Sequence, residues 1–133
     1  MSRLTILFIK SSLIYFAVAV LVGLDITFMP GHLGSMMPVH AHLMLLGWIT
    51  MMIYGVAYHI LPRFSASPLY SDKMANVQFY LAHIGLIGMA VSFAMRSYVD
   101  AGGMLLIVFS IIEAISIILF VFNMLMTLPK APK

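Results

Sequence analysis

Three of the chain's five histidines lie in one apolar stretch, PVHAHLMLLGWITMMIYGVAYHILP, which runs from Pro38 to Pro62. These histidines are His40, His42 and His59. Neutral imidazole binds haem iron as an axial ligand, and it also binds copper. About twenty apolar residues form a helix that crosses the hydrocarbon core of a bilayer. Because an ionisable group is costly to desolvate there, these histidines are candidate functional residues.

The spacing of His40 and His42 places their imidazoles about 200° apart on a regular helix. The two side chains therefore cannot both bind the same metal ion. We expect one to face the helix bundle and the other to face lipid headgroups, a partner subunit or the preceding link. The inward histidine is either an axial haem ligand, with Asp25 accepting its other ring N–H, or an interfacial histidine hydrogen-bonded to Asp25. The spacing leaves both interpretations open.

Composition identifies an integral membrane protein. The 133 residues are 63% hydrophobic and only 8% charged, whereas roughly a quarter of the residues of a soluble domain are charged. The absence of cysteine excludes disulfides, iron–sulfur clusters, thiolate zinc sites and covalent attachment of c-type haem. The net charge of +3 comes from residues in the links and termini, which favours anionic lipid rather than nucleic acid as a partner.

Hydrophobic segments predict an all-α membrane protein, an up-down four-helix transmembrane bundle in a single domain over residues 1–133. The predicted helices cover about residues 4–29, 38–61, 74–95 and 103–128. Short links make consecutive helices antiparallel neighbours. We expect most of the positive charge to lie on one side of the membrane, and His59 to lie near that side. The charged residues there are Arg3, Arg63, Lys73, Lys130 and Lys133. Both termini are therefore expected to face the cytoplasm, and His32, His40 and His42 the outside.

Residue counting from the links predicts which polar groups lie at the same depth. Asp25 is expected level with His40 and His42, and Glu113 within about one turn of His83. His83 and Glu113 then form a proton relay, a quinone-pocket pair, or a haem ligand and the carboxyl group that orients it. The alternative is a hydrogen bond that fixes the register of the two helices.

Other residue types around these histidines allow two interpretations each. Trp48 lies too deep for an interfacial anchor, so it is a core residue or a haem neighbour. Glycines allow helices to approach closely, and in a haem protein they also make room for the porphyrin. The glycines in question are Gly47, Gly55, Gly85 and Gly88. The thirteen methionines include soft ligands for Cu(I), but they are dispersed, which favours apolar filling over a copper site.

The segment from His40 to Pro62 resembles the second transmembrane helix of subunit I of haem-copper oxidases and nitric oxide reductases. Its start, HAHLM, resembles the HAF(I)M or HTNL segment of that family, and its end, GVAYHILP, resembles the GAAYYLxP end found in nitric oxide reductases. The resemblance implies that His40 is an axial ligand of a low-spin haem and that His42 occupies a non-ligand position.

The other haem and copper ligands of that family come from helices beyond the four predicted here. The resemblance therefore implies a small b-type haem protein that transfers electrons, or a haem subunit of a respiratory complex, and not an oxidase or reductase by itself. It implies a bacterial or archaeal inner (cytoplasmic) membrane, and a quinone or cytochrome c as redox partner. Lipid and either other membrane subunits or a second copy of the chain are the expected neighbours.

The second axial ligand is less well determined by the sequence. His83 is the first candidate, but residue counting places it about 15 Å deeper than His40. The alternatives are a different boundary for the third helix, a histidine of a second protomer, His42, His32 folded back from the first link, or an iron with a single protein ligand. Two further hypotheses are a haem-free structural subunit of a membrane enzyme complex and an outer-side copper site built from His32, His40 and His42.

Overall fold

A computed structural model describes residues 1–96, 98 and 102–128, and within them the protein is all-helical. In this described part, the helices long and apolar enough to cross a membrane are Arg3–Phe28, Pro30–Phe64, Asp72–Met95 and Gly102–Thr127. The predicted all-α membrane fold with four spanning helices is thus confirmed. Asp100, Lys130 and Lys133 lie outside the described residues, and the cytoplasmic side of the termini stays a prediction.

The second helix begins earlier than predicted. Residues 30–37 were expected to form a link, but Pro30–His32 is a 3-10 turn that leads directly into the α-helical segment Leu33–His42. Proline fits the first turn of a helix, where its missing N–H costs nothing, and Pro30 fulfils this role in place of Pro38. Pro38 lies inside the helix. Only Met29 therefore separates the first two helices, and the residues that face each other shift accordingly.

A π-helical segment, Leu43–Thr50, follows His42 directly and leads into the α-helical segment Met51–Phe64. Such segments are frequent at functional sites because the wider turn changes which side chains share a face. Gly47 lies in this segment, and a Cβ there would be 2.8 Å from Tyr15 Cβ and 3.1 Å from Leu86 Cδ2. The π-helical segment is thus where the first and third helices both press against the second.

The third and fourth helices pack closely along their length. A Cβ on Gly85 would lie 2.8 Å from the backbone nitrogen of Glu113 and 2.9 Å from its Cα. Nearer the helix ends, the side chain of Asn123 bonds to both backbone groups of Ser71, at 3.0 Å each. The glycine removes the obstacle to close approach, and the amide fixes the register.

Gly85→Ala should destabilise the bundle by about 1–3 kcal/mol, because the added methyl group meets helix backbone that cannot move aside. Gly34→Ala is the matched control, since nothing lies within 4 Å of a Cβ at that position. Thermal unfolding in detergent, followed by far-UV circular dichroism, should show a lower midpoint for Gly85→Ala only. Equal midpoints for Gly85→Ala and the wild type would contradict the close packing.

Candidate functional site

His40 is held by a helix other than its own. Its Nδ1 donates to the backbone carbonyl of Ala19 at 2.9 Å, across the interface with the first helix. The ring lies against Gly23, where a Cβ would be 3.0 Å from His40 Cε1. A carbonyl oxygen only accepts, so the hydrogen is on Nδ1 and the lone pair is on Nε2. This tautomer leaves Nε2 free to bind haem iron or another metal, while the hydrogen bond at Nδ1 fixes the ring.

His42 and His83 have the same tautomer, but each is held by a hydrogen bond within its own helix. Each donates from Nδ1 to the carbonyl four residues earlier on its own helix, Pro38 for His42 and Phe79 for His83, at 2.8 Å in both cases. The Nε2 atom of His83 is buried and has no hydrogen-bond partner among the described residues. His83 therefore presents an unused lone pair inside the bundle, which is the chemistry of an available ligand.

Both histidines of the His40–His42 pair face other helices. His40 contacts the first helix, and the ring of His42 lies 4.9 Å from that of Phe93 on the third helix. The expectation that one of them faces headgroups, a partner or the link is wrong. The reason is that the second helix is flanked by the first and third at this depth, so nearly opposite faces are both covered.

Asp25 is hydrogen-bonded to His32 and not to His40. The carboxylate oxygen lies 2.9 Å from His32 Nδ1, and the two side chains are 40% and 49% exposed. The tight connection at Met29 brings Asp25 level with the first turns of the second helix. The partner of the His40 Nδ1–H is consequently a backbone carbonyl and not the carboxylate predicted from the sequence.

His40 and His83 lie at clearly different depths, as residue counting predicted. The ring of His42 packs against Phe93, with ring centroids 4.9 Å apart, and Phe93 follows His83 by ten residues on the third helix. Ten residues of helix correspond to about 15 Å along the axis. His83 therefore lies much deeper in the bundle than the His40–His42 pair.

Glu113 is only 3% exposed and lies against Gly85, close to the depth of His83 as predicted. No hydrogen bond joins Glu113 to His83 within the described residues, since His83 uses its own helix and Glu113 Oε2 has no partner. The hydroxyl oxygen of Tyr54 is also buried without a partner in this part of the chain. Glu113 therefore does not orient His83 through a direct bond.

The buried amide of Gln78, which is 0% exposed, was not predicted from the sequence. It accepts from the Tyr58 hydroxyl and donates to Ser116 Oγ, both at 3.3 Å. An amide within the third apolar segment was the available signal, because such a group inside a membrane helix needs a partner on a neighbouring helix. This network joins the second, third and fourth helices.

The glycines do not leave open space. The position of a Cβ on Gly47 is taken by Tyr15 and Leu86, and that on Gly88 by the ring of Phe109. Trp48 stacks on Phe16 with ring centroids 4.0 Å apart. Gly47 and Trp48 therefore contribute to helix packing in this structure, and their proximity to a porphyrin stays a prediction.

The structure does not bring His32, His40 and His42 together. His32 pairs with Asp25 near the surface, and the other two contact different helices. Across the described ranges, no group of three or more His, Asp or Glu side chains could hold a metal ion. The predicted outer-side copper site has no support in this arrangement.

The amino-acid sequence matches the family described as Cytochrome C and Quinol oxidase polypeptide I over residues 4–101. The chain belongs to this family. The resemblance inferred from the HAHLM segment is thereby confirmed, and the match includes the segments that carry His40, His42 and His83 but ends before Glu113. No curated protein matches the chain.

Asp25→Asn should change the free energy of unfolding by less than about 1 kcal/mol, because the pair with His32 is half exposed. It should also leave the ¹⁵N chemical shifts of the His40 ring unchanged, since that ring is held by Ala19. Asp72→Asn, at the opposite end of the bundle, is the control. A shift of the His40 signals in Asp25→Asn alone would restore Asp25 as its partner.

Proposed function

We propose that this member of the oxidase subunit I family is a small membrane protein that binds b-type haem through His40. The observation that carries the proposal is the hydrogen bond from His40 Nδ1 to the Ala19 carbonyl, which leaves Nε2 unprotonated at the position where the family's HAF(I)M or HTNL segment has its leading histidine. Haem bound there would supply one-electron redox chemistry. The protein's part is to present the ring in one tautomer and one orientation.

Two residues of the first helix would do this positioning. The Ala19 carbonyl accepts the Nδ1 hydrogen and so raises the basicity of Nε2. Gly23 allows the imidazole to lie close to the helix backbone, because a Cβ at this position would be 3.0 Å from His40 Cε1. Both contacts come from another helix, so the orientation of the ring depends on the packed bundle and not on local sequence.

His83 is the residue we propose as second axial ligand. It has the same tautomer as His40, and its Nε2 is buried without a partner in the described part of the chain. It lies about 15 Å deeper than the His42–Phe93 contact, so the helices would have to shift for one iron to join His40 and His83. It also lines an apolar groove of about 430 Å³ to which the fourth helix contributes Phe109. His42 and a histidine from a second protomer are the alternatives.

The cellular role follows from the family and remains part of the proposal. The protein would transfer electrons, or serve as a haem subunit, in a respiratory complex of a bacterial or archaeal cytoplasmic membrane. A quinone or cytochrome c would be its redox partner. Large apolar side chains are exposed along all four described helices, which supports contact with lipid and with other membrane subunits or a second copy.

His40→Ala should abolish the sharp alpha band in the dithionite-reduced minus oxidised spectrum of protein purified from haem-replete cells, because the iron loses its axial ligand. His59→Ala is the control, since that ring contacts Arg63 on its own helix. If His83 is the second ligand, His83→Ala converts the spectrum to a high-spin form.

A flat spectrum for the wild-type protein, together with normal expression and folding, would overturn the haem proposal. The protein would then be a haem-free structural subunit of a membrane enzyme complex. In that case His40→Ala would leave the complex assembled and active. A band that persists in His40→Ala but disappears in His42→Ala would transfer the ligand role to His42.

Gly23→Ala should lower haem affinity roughly tenfold while preserving His40, because a methyl group 3.0 Å from Cε1 forces the ring to tilt away from the Ala19 carbonyl. Gly31→Ala is the control, with nothing within 4 Å of its Cβ position. Haem dissociation rates and the position of the alpha band measure the effect. Identical values for Gly23→Ala and Gly31→Ala would show that the first helix does not position the ligand.

A further inference from the structure

A polar cavity of about 450 Å³ lies at the end of the bundle where the first and third helices begin. It is remote from His40, which lies more than one turn inside the other end of the second helix. Its polar lining is Ser2, Arg3, His59, Arg63, Asp72, Asn76 and Tyr80. Its remaining wall is apolar and includes Leu4, Leu7 and Leu69. The cavity therefore combines charged groups with a hydrocarbon surface.

The two arginines are not neutralised by a nearby carboxylate. In the described residues the only ion pair is that of Asp25 with His32, so neither arginine pairs with Asp72. One guanidinium nitrogen of Arg63 donates to the imidazole of His59, and the other N–H groups of Arg63 have no partner among residues 1–96, 98 and 102–128. Two arginines and one aspartate give the cavity a net positive charge.

We propose that this cavity binds an anion that carries a phosphate group, either the headgroup of an acidic phospholipid or free phosphate. The guanidinium groups of Arg3 and Arg63 present planar N–H donors that match phosphate oxygens in pairs. Tyr80 adds a hydroxyl group, and Asn76 retains one amide hydrogen after bonding to the Asp72 carbonyl at 2.7 Å. This binding would involve neither haem nor His40 and His42, which lie toward the other end of the second helix.

Position favours the phospholipid over the free ion. The cavity lies at a helix end, which in a spanning bundle is the depth of the headgroups. The leucines of the wall offer an acyl chain a path from that depth along the first helix. Anionic lipids attract juxtamembrane arginine, and the expected cytoplasmic side of this end is where such lipids are concentrated.

Binding is tested by titrating the purified full chain in a neutral detergent with short-chain phosphatidylglycerol, with phosphatidylcholine of the same chain length, and with inorganic phosphate. Arg3→Gln and Arg63→Gln should each weaken phosphatidylglycerol binding roughly tenfold. Lys73→Gln is the matched control. It removes the same charge at the same end of the bundle, from a residue that lines a different groove.

Preference for phosphatidylglycerol that depends on both arginines and not on Lys73 supports a lipid site. Phosphate that binds alone, with the same dependence, supports the site and identifies the free ion as its ligand. Equal loss in the Lys73 variant, or equal affinity for phosphatidylcholine, overturns the proposal in favour of general surface charge. If Arg63→Gln does not fold, Arg3→Gln decides, because Arg3 is at the exposed start of its helix. The haem spectrum should be unchanged in every variant.

Discussion

Within a bilayer, each polar group that a helix carries inward must find its partner in the protein, because the hydrocarbon offers none. His42 and His83 meet this requirement on their own helices, and His40 meets it on the neighbouring one. The same tautomer results in all three cases, with Nε2 unprotonated. The membrane therefore favours the same tautomer in three imidazoles, and of these three only His40 donates its Nδ1 hydrogen to another helix.

Close helix packing is what makes that contact possible. Gly23 admits the His40 ring, Gly47 admits Tyr15, and Gly85 admits the backbone of the fourth helix beside Glu113. Each of these positions brings two helices near enough for side chains to reach across. The polar bonds of Gln78 then join the second, third and fourth helices in one register. Some buried polar atoms, such as Tyr54 Oη, have no hydrogen-bond partner in the described part of the chain.

The two proposed sites lie at opposite ends of the second helix and depend on different physics. The His40 site relies on a neutral ring held in an apolar interface, where a single lone pair is available. The cavity beside Arg63 relies on uncompensated positive charge next to an apolar wall. Membership of the oxidase subunit I family bears on the first site, while the second rests on the arrangement of this chain's own residues.

The sequence by itself determined the membrane class, the four spanning helices and the family, because these follow from hydrophobic length and from a local motif around His40. It also placed Glu113 near the depth of His83, since antiparallel neighbours are related by residue counting. Tertiary structure decided the partners. Pro30 and Pro38 are both suited to the first turn of a helix, and only the folded chain shows that the helix begins at Pro30, which moves Asp25 away from His40. Hydrogen bonds across helices depend on register to within about one turn, and hydropathy does not define helix ends that closely.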